Sequence, residues 1–274
     1  DEDNGLFVRL NRGEGYRTAL ATATRGNGGQ NEIGPEIFEA LGVLRTEELE
    51  TVHRFDGAEQ YFTRAVDFGY SFSIDETLEK WGRDEITSDF VRLIRMIRPD
   101  VVAAMQPTGT FGGLHHQASG MLTRDAFKLA GDPTKYPEQI KEGLRPWQAK
   151  KLYFRTGFGP PPQPAGRSTS CNLAEYDPLI GKTYAEIGAE ARSMHKCQGM
   201  PQLLALPGPA GSTYQMAEST IAGAMDKEEG ALFDGIDTSI AGLAKAAARA
   251  PKELVDGLAA IASSVQAAQK NYDS

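Results

Sequence analysis

The residues most able to do chemistry gather in "GTFGGLHHQASG", residues 109–120, where His115 and His116 are adjacent. Only four histidines occur in the 274 residues, and this pair lies where a Gly-rich loop runs into a helix. A neutral imidazole there could hold a metal or move a proton. Neighbouring side chains on a helix diverge by about 100°, so one of the two would ligate and the other would pack. No H-x-x-H or H-E-x-x-H spacing accompanies the pair, and by spacing alone two packed histidines are the commoner reading. A second ligand would come from "DED", Asp1 to Asp3, if the fold brings that acidic start to the same crevice. Carboxylate and imidazole together could hold Zn²⁺ with one position open for water.

The elements that would position these groups alternate. "GLFVRLNRG" (5–13) spaces its apolar residues as a short helix ended by Gly13. "YRTALATAT" (16–24) reads as a buried strand, "RGNGGQNEIG" (25–34) as a Gly-rich loop, and 34–55 as a helix breaking near Gly42. A long helix is expected over 75–100, with Ile86, Phe90, Leu93, Ile94 and Ile97 at helical spacing until Pro99 stops it. Strand "VVAAMQ" (101–106), helix 115–131 and strand "KKLYFRT" (150–156) follow, then a Pro/Gly/Ser excursion from 157 and a helical stretch over 182–200. This alternation predicts an α/β fold, a Rossmann-like three-layer sandwich with a mostly parallel sheet. Ligands would then bind beyond the carboxyl ends of the strands, where "TRGNGGQN" and "TGTFGGLHHQ" both lie. Residues 1–200 form the main domain, 201–238 connect, and 239–274 are an Ala-rich helical appendage interrupted at Pro251. That appendage is expected to pack or to bind a protein partner.

Composition excludes several classes. A net charge of −8 lacks the clustered positive charge of a nucleic-acid surface. No apolar run approaches the ~20 residues of a membrane span. "TRGNGGQ" is not G-x-G-x-x-G, so a dinucleotide site is not expected, and "DFGYS" (67–71) lacks the companions of a kinase motif. Cys171 and Cys197 form no motif, and the compartment stays open between cytoplasm and periplasm.

In combination, "DED", "TRGNGGQNEIGPEIFEALGVLRTEEL", "GGLHHQASGM" and "YAEIGAEARSMHKCQGM" resemble the PIG-L/LmbE family of zinc-dependent N-deacetylases over about residues 1–200. The resemblance implies a hydrolase that removes an N-acyl group, usually acetyl, from an amino-sugar-like small molecule. The family's A-H-P-D-D-E motif supplies a His and an Asp to the metal and an Asp as general base. Here Asp1-Glu2 match its last two letters, which makes Asp1 a zinc ligand and places the general base just upstream; a shift of register would move the assignment to Asp3. His116 matches the third ligand, while His115 matches a variable position. The family's oxyanion-stabilising His falls at Gly113, and loss of such a group typically costs ~10²–10³ in rate. Another group substitutes, the loop pairs differently, or activity is weak or lost. Arg45 corresponds to an arginine lining the substrate pocket, the alternative being a helix-surface pair with Glu48. Arg25, Asn27 and His195 are the further substrate-binding candidates. A non-catalytic, PIG-L-like subunit of a larger assembly is the competing reading.

Overall fold

The computed structural model describes residues 3–108, 113–158, 167–200, 205, 208–246 and 250–272. Two compact units divide the chain, Asp1–Leu232 and Phe233–Ser274.

In the first unit, helix α1 (Asn4–Phe7) continues as a π-helical turn over Val8–Gly13, ending at the predicted glycine. Strand β1 (Ala19–Thr22) leads through the Gly-rich loop to α2 (Phe38–Asp56). The helix does not break at Gly42. A Cβ there would come within 2.5 Å of Asn27 Nδ2, so the glycine admits the loop against the helix rather than ending it. Strand β2 (Glu59–Phe62), too short and too polar for its pattern to be read, pairs parallel with β1 from Ala19↔Glu59 to Thr22↔Phe62.

The predicted long helix is two, α3 (Ile74–Trp81) and α4 (Arg83–Ile97), parted at Gly82 with φ +78, outside the helical region. Ser73 caps α3 by accepting the Glu76 amide, and α4 ends at Arg98 before Pro99. Strand β3 (Val101–Ala104), α5 (Leu114–Leu129), α6 (Pro137–Lys141) and β4 (Lys151–Phe158) follow. β3 and β4 pair in parallel.

Beyond 158 the sequence concealed four strand segments. β5 (Ser168–Asn172) lies antiparallel to β8 (Gly211–Ser219), which is itself antiparallel to β4, giving the order β3-β4-β8-β5. Short β6 (Tyr176–Asp177) and β7 (Lys182–Thr183) pair ahead of α7 (Tyr184–Arg192). Thr183 and Glu186 form a reciprocal capping box on α7. The helical stretch expected over 182–200 stops at Arg192 and resumes only as a 3₁₀ turn, Lys196–Gln198.

The α/β architecture is as expected, with parallel pairs β1/β2 and β3/β4 and an antiparallel extension. Ile86, Phe90, Val91 and Ile94 of α4 pack with Ala118, Leu122 and Ala126 of α5, joined by Leu78, Trp81, Ala23 and Ala65. That core lies directly under the loops leaving β1 and β2. Phe127 of α5 packs with Leu152 and Phe154 of β4, and Val8 with Tyr184 and Ile187 of α7.

The second unit contains α8 (Ile240–Ala246) and α9 (Lys252–Tyr272), packed against each other on either side of Pro251. No helix among the described residues is long and apolar enough to cross a membrane.

Candidate active site

Three loops leave the carboxyl ends of parallel strands: the third runs into the histidine doublet, the second packs on His115 through Phe68, and the first packs on the second. They follow β1 (residues 23–37), β2 (63–73) and β3 (105–113). Residues 109–112 fall outside the described part, so the third loop is followed to Thr108 and again from Gly113.

The doublet opens α5. The Gly113 amide donates to Nδ1 of His116 at 3.1 Å, which satisfies an orphan donor at the helix start. His115 turns the other way, as adjacent helical residues must. Its ring meets Phe68 edge-on at 4.5 Å and lies 5.0 Å from the Trp81 ring. Its Nε2 is buried without a hydrogen-bond partner among the described residues. Trp81 is itself fixed by its indole N–H donating to the Val66 carbonyl, and Lys80 covers the Phe68 ring from 4.2 Å. Burial pushes both histidines below the ordinary imidazole range, against the negative charge of Asp67.

The β1 and β2 loops are in backbone contact. At Gly28 a Cβ would run into the Gly69 nitrogen and lie 2.7 Å from the Phe68 carbonyl carbon and 2.9 Å from Asp67 Oδ1. Asp67 in turn accepts the Gly69 amide at 2.7 Å, making a tight turn of "DFG". The Gly-rich loop is also held from outside. Glu32 N–H donates to the Cys197 carbonyl, and Cys197 N–H donates to Oε1 of Glu48 on α2. At the entry to α2, exposed Phe38 adopts φ +51, a left-handed value that costs a non-glycine residue about 1 kcal/mol or more.

The other sequence candidates are placed as follows. Arg45 Nη1 donates to the Gly26 carbonyl at 3.2 Å, and the guanidinium fills the space beside Gly26 and Gly29. It is no surface partner of Glu48, whose carboxylate is buried and turned to the Cys197 amide. Arg25 lies over the Phe62 ring at 3.9 Å and donates to Thr46 Oγ1. Asn27 rests against Gly42 of α2. His195 is buried at the start of the 3₁₀ turn, on the segment strapped to the Gly-rich loop through Cys197. His53, the remaining histidine, is committed to structure: Nδ1 meets Asp56 at 2.8 Å and Nε2 meets Gln60 Oε1 at 2.9 Å.

At the chain's start, Asp1 lies outside the described residues. Asp3 is fully engaged: Oδ1 accepts the Leu6 amide as the cap of α1, while Oδ2 takes the Tyr214 hydroxyl at 2.6 Å and faces Arg155 at 3.4 Å. Each of its oxygens already accepts a hydrogen bond inside the fold, so Asp3 is held by α1 and Tyr214.

Zinc takes histidine as neutral imidazole, and the half-buried, downshifted His116 has that form. With Nδ1 accepting the Gly113 amide, its ring proton sits on Nε2. A metal at Nε2 would send the proton to Nδ1 and break that amide bond; one at Nδ1 would displace the amide directly. Either way His116 ligates only if the α5 cap opens. Among the described residues no three His, Cys, Asp or Glu side chains converge as a metal set. They supply one fitting corner of a metal site.

The wall that sequence reasoning missed is the "DFG" turn with Trp81. Its signal was present as a kinase-like motif without kinase companions, but nothing in periodicity brings residue 68 to residue 115.

A Rossmann-like α/β domain with a histidine site at the carboxyl edge of parallel strands is the class this geometry defines. Residues 4–127 match the family model described as PIG-L: GlcNAc-PI de-N-acetylase. That matched stretch takes in the Gly-rich loop and the histidine doublet, and over it the chain is similar to the PIG-L family. It is 27% identical over 168 residues to a 1D-myo-inositol 2-acetamido-2-deoxy-alpha-D-glucopyranoside deacetylase of Streptomyces scabiei, covering 56% of this chain and 50% of that protein. A deacetylase of the same description from Saccharopolyspora erythraea is 33% identical over 173 residues, 57% of this chain and 61% of the relative. The chain thus spans about half the length of the curated relatives it matches first. In fold it is similar to N,N'-diacetylchitobiose deacetylase from Pyrococcus horikoshii, with TM-score 0.56 at 15% identity, covering 78% of this chain and 77% of that one. It is also similar to GalB, the 4-carboxy-2-hydroxymuconate hydratase of Pseudomonas putida, with TM-score 0.51 at 13% identity, covering 80% and 91%.

Proposed function

We propose that this chain is a zinc-dependent hydrolase that removes an N-acyl group, in the first instance acetyl, from an amino-sugar-like substrate. One observation carries the reading: a half-buried, neutral histidine doublet beyond the carboxyl edge of parallel strands, walled on one side by Phe68 and Trp81, within the stretch that matches a de-N-acetylase family. The amino-sugar deacetylases among its relatives support the substrate class. A hydratase on a similar fold is a reminder that fold alone does not choose the reaction.

In this reading His116 and Asp1 hold the zinc, and the family's general base precedes Asp1. When bound, zinc polarises an amide carbonyl and acidifies a water molecule. The chain's own residues then do three things. Arg45 holds the Gly26–Gly29 backbone in place, and Arg25 and Asn27, resting on Phe62 and on Gly42 of α2, would turn from that fixed loop to reach sugar hydroxyls. Phe68 and Trp81 keep water from one side of the doublet. His195, on the strapped segment, contributes to the substrate side. The α9 face carrying Leu254, Ile261 and Val265, all exposed, supports a protein partner for the second unit. No finding favours the non-catalytic alternative.

The test is metal analysis of the purified protein at neutral pH together with amine release from N-acetylglucosaminyl glycosides. Stoichiometric zinc lost in His116→Ala, with amine release lost alongside, is the expected result. Protein that takes up no zinc, or that releases amine equally well after His116→Ala, overturns the reading.

A further inference from the structure

Beyond the doublet, the turn that carries Phe68 continues into two aromatic side chains that the structure leaves in solvent. Tyr70 is 77% exposed and Phe72 82%, and their rings meet edge-to-face at 5.1 Å and 74°. Single exposed aromatics are ordinary on protein surfaces. These two differ in being stacked on each other and held on a fixed stretch of backbone. The Gly69 amide is tied to Asp67, the Phe72 amide donates to Glu76 at 2.8 Å, and Ser71 Oγ donates to the Ser73 carbonyl. A paired platform on a rigid turn is ready for a ligand face.

Its position decides which ligand. Phe68 touches His115 at 4.5 Å, and Gly69 is packed on Gly28 of the other loop. Two residues of chain reach at most about 7 Å, so Tyr70 is anchored no more than about the length of a sugar ring from Phe68. A pyranose presents an apolar C–H face and an equatorial rim of hydroxyls, and an aromatic face matches the first while leaving the second in water.

We propose that Tyr70 and Phe72 form an aromatic subsite that receives the ring bonded to the N-acyl amino sugar. The inference rests on the hydrolase reading for the identity of the first ring, but the subsite can be tested by binding alone.

The experiment compares N-acetylglucosamine with N,N'-diacetylchitobiose on the full chain, by ligand-observed NMR titration and by amine release. Wild type is compared with the double variant Tyr70→Ala/Phe72→Ala and with the conservative pair Tyr70→Phe/Phe72→Tyr. Wild type should bind the disaccharide on the order of tenfold more tightly than the monosaccharide. The alanine pair should erase that preference with monosaccharide affinity and thermal midpoint unchanged, and the conservative pair should retain it. An alanine pair that keeps the preference overturns the subsite. So does one that alters only the sedimentation coefficient, since the platform would then be covered by a second copy. The two readings fail separately: binding preference lost in the alanine pair without amine release from any form keeps the subsite and sinks the hydrolase. Amine release unchanged by the alanine pair does the reverse.

Discussion

Replacing Gly28 by alanine tests whether the two loops must be in backbone contact for the site to exist. The added Cβ would meet the Gly69 nitrogen and lie 2.7 Å from the Phe68 carbonyl carbon, where ordinary contact begins at 3.4 Å. Relief therefore needs the loops to part by at least 0.7 Å, the shortfall between those two distances. The obstacle is backbone, so no rotamer change removes it. Overpacking of this kind costs about 1–3 kcal/mol. For a unit of this size each kcal/mol lowers the midpoint by about 2–4 °C, so Gly28→Ala should melt roughly 2–12 °C below wild type. Phe68 moves with the turn, and with it the packing of His115. A displacement near 1 Å at a positioning residue can cost on the order of 10²-fold in rate. Gly29→Ala is the comparison for stability alone. There the Cβ meets the Nη1 tip of Arg45, which can swing away, so stability should change far less. The assay is differential scanning calorimetry plus amine release under saturating zinc. A Gly28→Ala protein with wild-type midpoint and wild-type kcat/KM would refute the argument that this contact builds the site.

Three further outcomes follow from the same structure. Arg95, buried on α4, donates to the carbonyls of Ala130, Asp132, Lys135 and Tyr136 and to Gln139 Oε1, so Arg95→Met should lose at least about 3 kcal/mol in urea unfolding; a loss under 1 would show those carbonyls find other donors. Burial pushes the Cys171 thiol up to about 12, and burial with the Glu48 carboxylate pushes Cys197 up to about 11, so in native protein at pH 8 both should react with a disulfide reagent more than about 100-fold slower than a free thiol. Rapid labelling of either would contradict that burial. Glu59 is held down to about 2 by its hydrogen bond from Arg17, so its contribution is present above the ordinary carboxylate range and disappears as pH falls through about 2. Both partners are largely exposed, which limits the effect to under about 1 kcal/mol; Glu59→Gln should cost that little at pH 6 and nothing at pH 2, by urea titration at the two pH values.

The elements that were legible in the sequence are those whose order is local. Val101–Ala104 is a short apolar run ahead of a glycine loop, and Leu114–Leu129 repeats its apolar residues every three to four positions. Gly13, Pro99 and Pro251 act within their own segments and punctuate the chain where expected. Gly42 and Gly82 could not be told apart in this way. One leaves room for Asn27 and the other takes a left-handed φ, and only the fold says which. Strands β2, β5 and β8 went unread because they are short or polar and owe their pairing to distant partners.

The same division runs through the candidate site. Sequence alone determined which residues could do chemistry: the doublet, the Gly-rich loop and the order of motifs that resembles PIG-L. Tertiary structure decided how they are used, because burial and hydrogen bonding depend on what arrives from far along the chain. It engaged Asp3 with Tyr214 and Arg155, turned Arg45 onto the Gly26 carbonyl, and drew Glu48 to Cys197. It also set Phe68 and Trp81 around His115, giving a role to a "DFG" that had looked like an accident of letters. Residue types fix what a side chain is able to donate, accept or bind; only the packing of remote segments fixes what it meets.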